Sequence, residues 1–146
     1  MKMEHHIAVS VPVSLSIWAL TGSVWYFLMS LALGFLVDAD HVLDYVREEK
    51  KFDMKDMFVK SYKGDFKKLY LIFHCFEFVP LVWLAGFFTG SFEFSAVFTI
   101  AYLSHMVPDQ ISNNTKPWGY FFFYRMANKF KMRKIFYVPR GGIHKV

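Results

Sequence analysis

The chain has 146 residues, 55% of them apolar and 21% aromatic, with a formal net charge of +5 and one cysteine. This length suits a single domain, 1–146, and the apolar share is high for a soluble protein of this size, so a membrane class leads. Cys75 stands alone, which excludes an internal disulfide framework and a cysteine-rich zinc site and leaves it a packing role.

No Asp, Glu, Lys or Arg occurs between His6 and Asp38. Residues 7–20 and 24–37 read as two helices joined at Thr21-Gly22-Ser23, a hairpin within 5–44. Two histidines precede the apolar run and no small-residue cleavage site follows it, so a retained N-terminus is expected rather than a signal peptide. A polar helical connection follows over 45–68, with eight Lys/Arg against five Asp/Glu. Residues 69–88 and 92–107 read as a second hairpin within 69–112, joined at Thr89-Gly90-Ser91 and interrupted only by Glu77 and Glu93. Pro12 and Pro80 fall inside these helices, where neighbouring membrane helices tolerate a kink.

Sliding the first hairpin by 68 positions aligns His6 with His74, Val11-Pro12 with Val79-Pro80, the two Thr-Gly-Ser turns, and His41 with Asp109. Internal duplication and chance likeness of two apolar hairpins are both open readings. Each arm of the first hairpin is about 15 residues, or about 22 Å, short of a hydrocarbon core of about 30 Å. Such arms tilt, thin the bilayer or cross it in part.

The tail, 113–146, is aromatic over 118–124 and 130–137 and interleaved with Lys129, Lys131, Arg133 and Lys134. It reads as a basic-aromatic C-terminal interfacial helix on anionic head groups, with no nucleic-acid partner expected. The fold expected is therefore all-α, a membrane helical bundle of two hairpins (about four core helices). Residues 116–146 carry eight Lys/Arg and no acid, and with the basic 45–68 connection they place both termini on the cytoplasmic side.

The ionisable residues sort to that same side. His6 opens the first expected helix, Asp38, Asp40 and His41 close the second, His74 lies near the start of the third, and His105 and Asp109 close the fourth. Asp38 with His41, His74 with Glu77, and His105 with Asp109 have the spacing of one helix face. Carboxylates at a membrane boundary are costly unless paired, protonated or bound to a cation, and scattered imidazoles and carboxylates at helix ends suit a metal site. The expected ligands are His6, Asp38, His41, His74, His105 and Asp109. Asp44 and Glu93 read as solvated, and His5 and His144 are set aside.

Three blocks resemble a known family. His6-Ile7-Ala8-Val9-Ser10, Leu36-Val37-Asp38-Ala39-Asp40-His41 and Leu103-Ser104-His105-Met106-Val107-Pro108-Asp109 resemble the N-terminal histidine, Asp-x-Asp-His and Ser-His-x-x-x-Asp blocks of the YdjM family. That family comprises predicted bacterial inner-membrane metal-dependent hydrolases, itself thought to be related to zinc-dependent phospholipase C. Pro117-Trp118-Gly119 resembles a further Pro-x-Gly element. Where the family often has His-Arg-x-x-Thr-His, this chain reads Leu69-Tyr70-Leu71-Ile72-Phe73-His74, so only the last histidine is retained.

The resemblance implies a metal-dependent hydrolase in a bacterial or archaeal cytoplasmic (inner) membrane. One or two divalent ions, zinc by ligand type with manganese or iron also permitted, would activate water against a phosphoester of a lipid or lipid-linked substrate. Asp40 and Glu77 are the candidates to handle the proton of the attacking water, Asp40 alternatively bridging metals or orienting a histidine. The alternative class is a non-catalytic membrane protein holding a structural or transported metal at the same cluster. A third reading is an enzyme relic retained as a scaffold.

Overall fold

The computed structural model describes residues 3–137, apart from the side chains of Met3 and Tyr62; His144 lies outside the described residues. The chain is helical: α1 (Met3–Thr21), α2 (Val24–Leu36), α3 (Ala39–Glu49), α4 (Met54–Lys63), α5 (Phe78–Thr89), α6 (Phe92–Ser112), α7 (Phe122–Ala127) and α8 (Met132–Ile135). Among the described residues, β structure amounts to isolated bridges, Lys68 with Lys131 and Thr115 with Phe136. Two compact units interleave in sequence, one from residues up to Val37 with Phe76–Pro108, the other from Asp38–Cys75 with residues from Asp109 onward.

The first unit holds α1, α2, α5 and most of α6. Its two turns form as the Thr-Gly-Ser signals require: Gly22 and Gly90 sit at φ 65° and 71°, in the left-handed region that a side chain disfavours. Ser23 caps α2 by accepting from the Tyr26 amide at 3.4 Å. Ile17, Val97 and Ala101 form the apolar centre, with Val13, Tyr26, Met29 and Leu33 packed against it.

Polar side chains share the interior of this unit with that apolar centre. Ser10, Ser14, Ser30, Ser95, His6 and His105 are buried. Large apolar side chains face outward instead, with Leu20 86%, Trp25 78% and Phe88 77% exposed. Small residues bring the helices close: a Cβ on Gly34 would lie 2.2 Å from Ser10 Oγ, and one on Gly86 would lie 2.1 Å from Ser95 Oγ. Among the described residues, one segment, Val24–Glu49, is long and apolar enough to cross a membrane by length and composition.

The second unit contains α3, α4, α7, α8 and the irregular stretches between them. Tyr45, Met57, Leu69, Leu71, Tyr120 and Ile135 are among its buried side chains. Asp53 caps α4 by accepting from the Asp56 amide at 3.1 Å, and Gly64 ends that helix at φ 65°.

Three expectations change. The third helix was expected from residue 69, but α5 starts at Phe78 and residues 69–77 turn irregularly. Several of their amides are taken by side-chain carboxylates and so are withheld from a helical ladder. The tail is not one interfacial helix: α7 and α8 have six and four residues, separated by Lys129 and Phe130 at φ 55° and 56°. Arg125, Met132, Ile135 and Phe136 of that tail are buried. Asp44, read as solvated, is 4% exposed and bonded to the backbone of the turning stretch.

The two glycine contacts make opposite predictions. Gly34→Ala should destabilise by about 1–3 kcal/mol through overpacking, and Ser10→Ala should not rescue it, because Ser10 Cβ itself lies 2.5 Å from the new methyl. Gly86→Ala should be rescued by Ser95→Ala, since only Oγ is closer than 3.3 Å there. Thermal unfolding in detergent of the four single variants and two double variants checks both.

Candidate metal centre

The centre lies within the second unit and is built on α3. Asp40, Asp44 and Glu48 recur at every fourth residue, so their carboxylates line one helix face about 6 Å apart. Each accepts backbone amides of the irregular stretch, which therefore runs beside α3 in the opposite direction. Glu48 accepts from Lys67 at 3.0 Å and Lys68 at 3.5 Å. Asp44 Oδ2 accepts from Tyr70 at 2.7 Å and Leu71 at 3.0 Å, and Asp40 Oδ2 from Phe73 at 3.0 Å and His74 at 3.2 Å.

The carbonyl side of the same turn is held by Arg125. Its Nη1 donates to the His74 carbonyl at 2.6 Å and to that of Gly119 at 3.2 Å, while Nη2 donates to the Leu71 carbonyl at 2.8 Å. Leu71 sits at φ 47°, a left-handed conformation that a leucine adopts only where its surroundings hold it there.

So fixed, the fully buried His74 ring lies among three carboxylates. Nδ1 is 2.9 Å from Asp40 Oδ2; Nε2 is 3.2 Å from Asp109 Oδ2 and 3.5 Å from Asp38 Oδ1. His41 Nε2 approaches Asp38 Oδ1 at 3.8 Å, and the His41 and His74 rings meet edge-on with centroids 5.2 Å apart. Asp38 makes no side-chain capping bond to α3.

Burial alone would push the His74 imidazole down, but Asp40, then Asp109 and Asp38, outweigh it and hold it well above its ordinary range. Tyr120, whose ring centroid is 5.4 Å from that of His74, is driven well up by burial and by Asp109, so its phenol stays neutral.

The donors could hold a metal ion. Ligand atoms of Asp38, His41 and His74 lie within 4.8 Å of one another. Asp109 and Asp38 add carboxylate oxygens 3.2 and 3.5 Å from His74 Nε2. Asp40 on Nδ1 is placed as the carboxylate that orients a metal-binding imidazole from behind.

The other expected residues are positioned as follows. In the first unit His6 and His105 stack with ring centroids 4.1 Å apart, and His105 Nδ1 lies 3.3 Å from the Gly34 carbonyl. His105 and Asp109 sit one turn apart on α6, which runs unbroken through Pro108. Glu77 is half-buried at the N-cap of α5 without a side-chain capping bond, and residues 74–77 are not helical, so the shared helix face expected there is not a feature of this backbone. His5 and Glu93 are exposed, and Cys75 is buried.

Sequence reasoning missed Arg125 and Asp44. The four-residue period of Asp40, Asp44 and Glu48 was the legible signal for Asp44; Arg125 had none, lying in a basic tail that reads as facing anionic head groups. Compared with family models, curated proteins and solved structures, the chain matches none.

Two outcomes follow from this arrangement. Asp44→Ala strips the acceptor from one buried and one part-buried amide and should cost about 3 kcal/mol, whereas Asp44→Asn, which keeps an oxygen there, should cost less; chemical denaturation checks the ranking. His74 has a higher pKa folded than unfolded, so its charge stabilises the metal-free protein fully below the unfolded value and this is lost as pH rises through the folded one. Unfolding temperatures of metal-free protein should therefore fall with rising pH above about 6.5, with a flatter profile in His74→Gln.

Proposed function

We propose that this chain is a membrane-bound metal-dependent hydrolase that acts on a phosphoester of a lipid or lipid-linked substrate. The observation that carries the reading is His74, buried between Asp40 on one ring nitrogen and Asp38 and Asp109 on the other. A structural core has little use for three carboxylates around one imidazole, whereas a cation site needs such charge.

Asp38, His41, His74 and Asp109 are the proposed ligands in the second unit. His6 and His105 are proposed as further ligands, on the sequence blocks that resemble the YdjM family and on the one-turn spacing of His105 and Asp109. Held by these residues, a divalent ion would supply Lewis acidity, lowering the pKa of bound water and offsetting charge on a phosphoryl oxygen. Asp40 accepts from His74 Nδ1 and so would leave Nε2 to face a bound ion. With its Oδ2 also taken by two amides, Asp40 is better suited to holding His74 than to moving a proton, which leaves Glu77 as the candidate base.

Membrane embedding is supported by the candidate span Val24–Glu49 and by the outward apolar and inward polar side chains of the first unit. Exposed Trp118, Phe123 and Tyr137, together with Lys129, Lys131, Arg133 and Lys134, suit contact with anionic head groups. A cytoplasmic inner-membrane location with the site on the basic side follows as part of the proposal.

Purified protein should contain stoichiometric zinc, manganese or iron and hydrolyse phosphodiesters or phosphomonoesters in mixed micelles. His74→Ala and Asp109→Ala should lower metal content by at least about tenfold and remove turnover. Bound metal without metal-dependent turnover would favour a structural or transported ion; full metal content in both variants would end the assignment of these ligands.

A further inference from the structure

We infer that Arg125 is a positioning residue of the metal centre, locking the turn that presents His74, and that Gly119 seats it. The inference rests on the reading of this centre as a cation site. Arg125 acts through the backbone on either side of the imidazole.

The turn is held on both of its polar edges. Asp44 and Asp40 take the amides of residues 70, 71, 73 and 74, and Arg125 takes the carbonyls of Leu71 and His74. Those two carbonyls belong to the left-handed Leu71 and to His74 itself, whose backbone torsions aim the ring. A guanidinium is a rigid planar fork that bridges two carbonyls; an ammonium is a point charge that cannot reproduce the fork. Arg125 is fully buried, so water does not substitute for it.

The Pro-x-Gly element gains a role from the same contacts. Gly119 offers its carbonyl to Arg125 Nη1 at 3.2 Å, and a Cβ there would lie 2.3 Å from Thr115 Cγ2 and 2.9 Å from the Ile135 carbonyl. Only glycine lets the chain pass between those neighbours and deliver its carbonyl to the guanidinium. The bonds from Arg125 to Leu71 and His74 thereby tie the tail to the turn, which accounts for the burial of a cation in a tail that reads as facing anionic head groups.

The test uses full-length protein in detergent with Co²⁺ as the probe, comparing wild type, Arg125→Lys and Arg125→Gln. Two readouts are taken: Co²⁺ affinity with its visible absorption band, and, without metal, the ring ¹H–¹⁵N resonances of His74. Folding is followed by circular dichroism and thermal unfolding. Both variants should fold, bind Co²⁺ about tenfold or more weakly with a changed band, and show displaced His74 ring resonances. Wild-type affinity, band and ring resonances in both variants would overturn the inference, and so would global unfolding of both, which a clamp on one turn does not produce. If wild type binds no Co²⁺, the cation-site reading fails by itself. The His74 resonances then decide the clamp alone, displaced if Arg125 sets the ring and unmoved if it does not.

Discussion

Three carboxylates on one face of α3 reach across to the backbone of residues 67–74, and the rest of the second unit is arranged around that capture. A segment with unpaired amides and carbonyls cannot be buried without partners, because each lost hydrogen bond costs as much as a sizeable fraction of total stability. Asp40, Asp44 and Glu48 meet this demand at intervals of one helical turn, each binding two amides while the segment advances by three residues. The segment is left neither helix nor strand, and His74 emerges from it at a defined place.

The electrostatic consequence is concentrated at that histidine. Asp40 serves two ends at once, fixing the backbone that carries His74 and accepting from its ring. Asp38 and Asp109 then face the opposite nitrogen, where a bound metal ion would compete with a proton for one position. The same negative field that raises the imidazole pKa favours the divalent ion that would replace the proton, so the two observations have one cause.

The first unit solves a different problem. Its helices approach through Gly34 against Ser10 and Gly86 against Ser95, so backbones meet without large side chains between them. Serines and the stacked pair His6 and His105 lie inside, and bulky apolar groups lie outside. In water such an arrangement forgoes hydrophobic burial; against hydrocarbon it keeps polar groups away from the solvent that cannot hydrogen-bond to them.

Local chemistry was legible in the sequence wherever neighbouring residues decide the outcome. The Thr-Gly-Ser turns and the helical character of most of the apolar runs follow from torsional freedom, capping and period, all set within a few positions. Residues 69–77 were not legible, because their apolar composition matches a helix and only partners more than twenty residues away, Asp40 and Asp44 before them and Arg125 after, divert their backbone groups. The burial of Asp44 and Arg125 has the same origin: a charged side chain reads as solvated until the fold supplies amides or carbonyls to bind it. Sequence determined which residues could ligate a cation, through their chemical type, and tertiary structure decided which nitrogen of His74 faces which carboxylate, since that depends on long-range hydrogen bonds that no local pattern encodes.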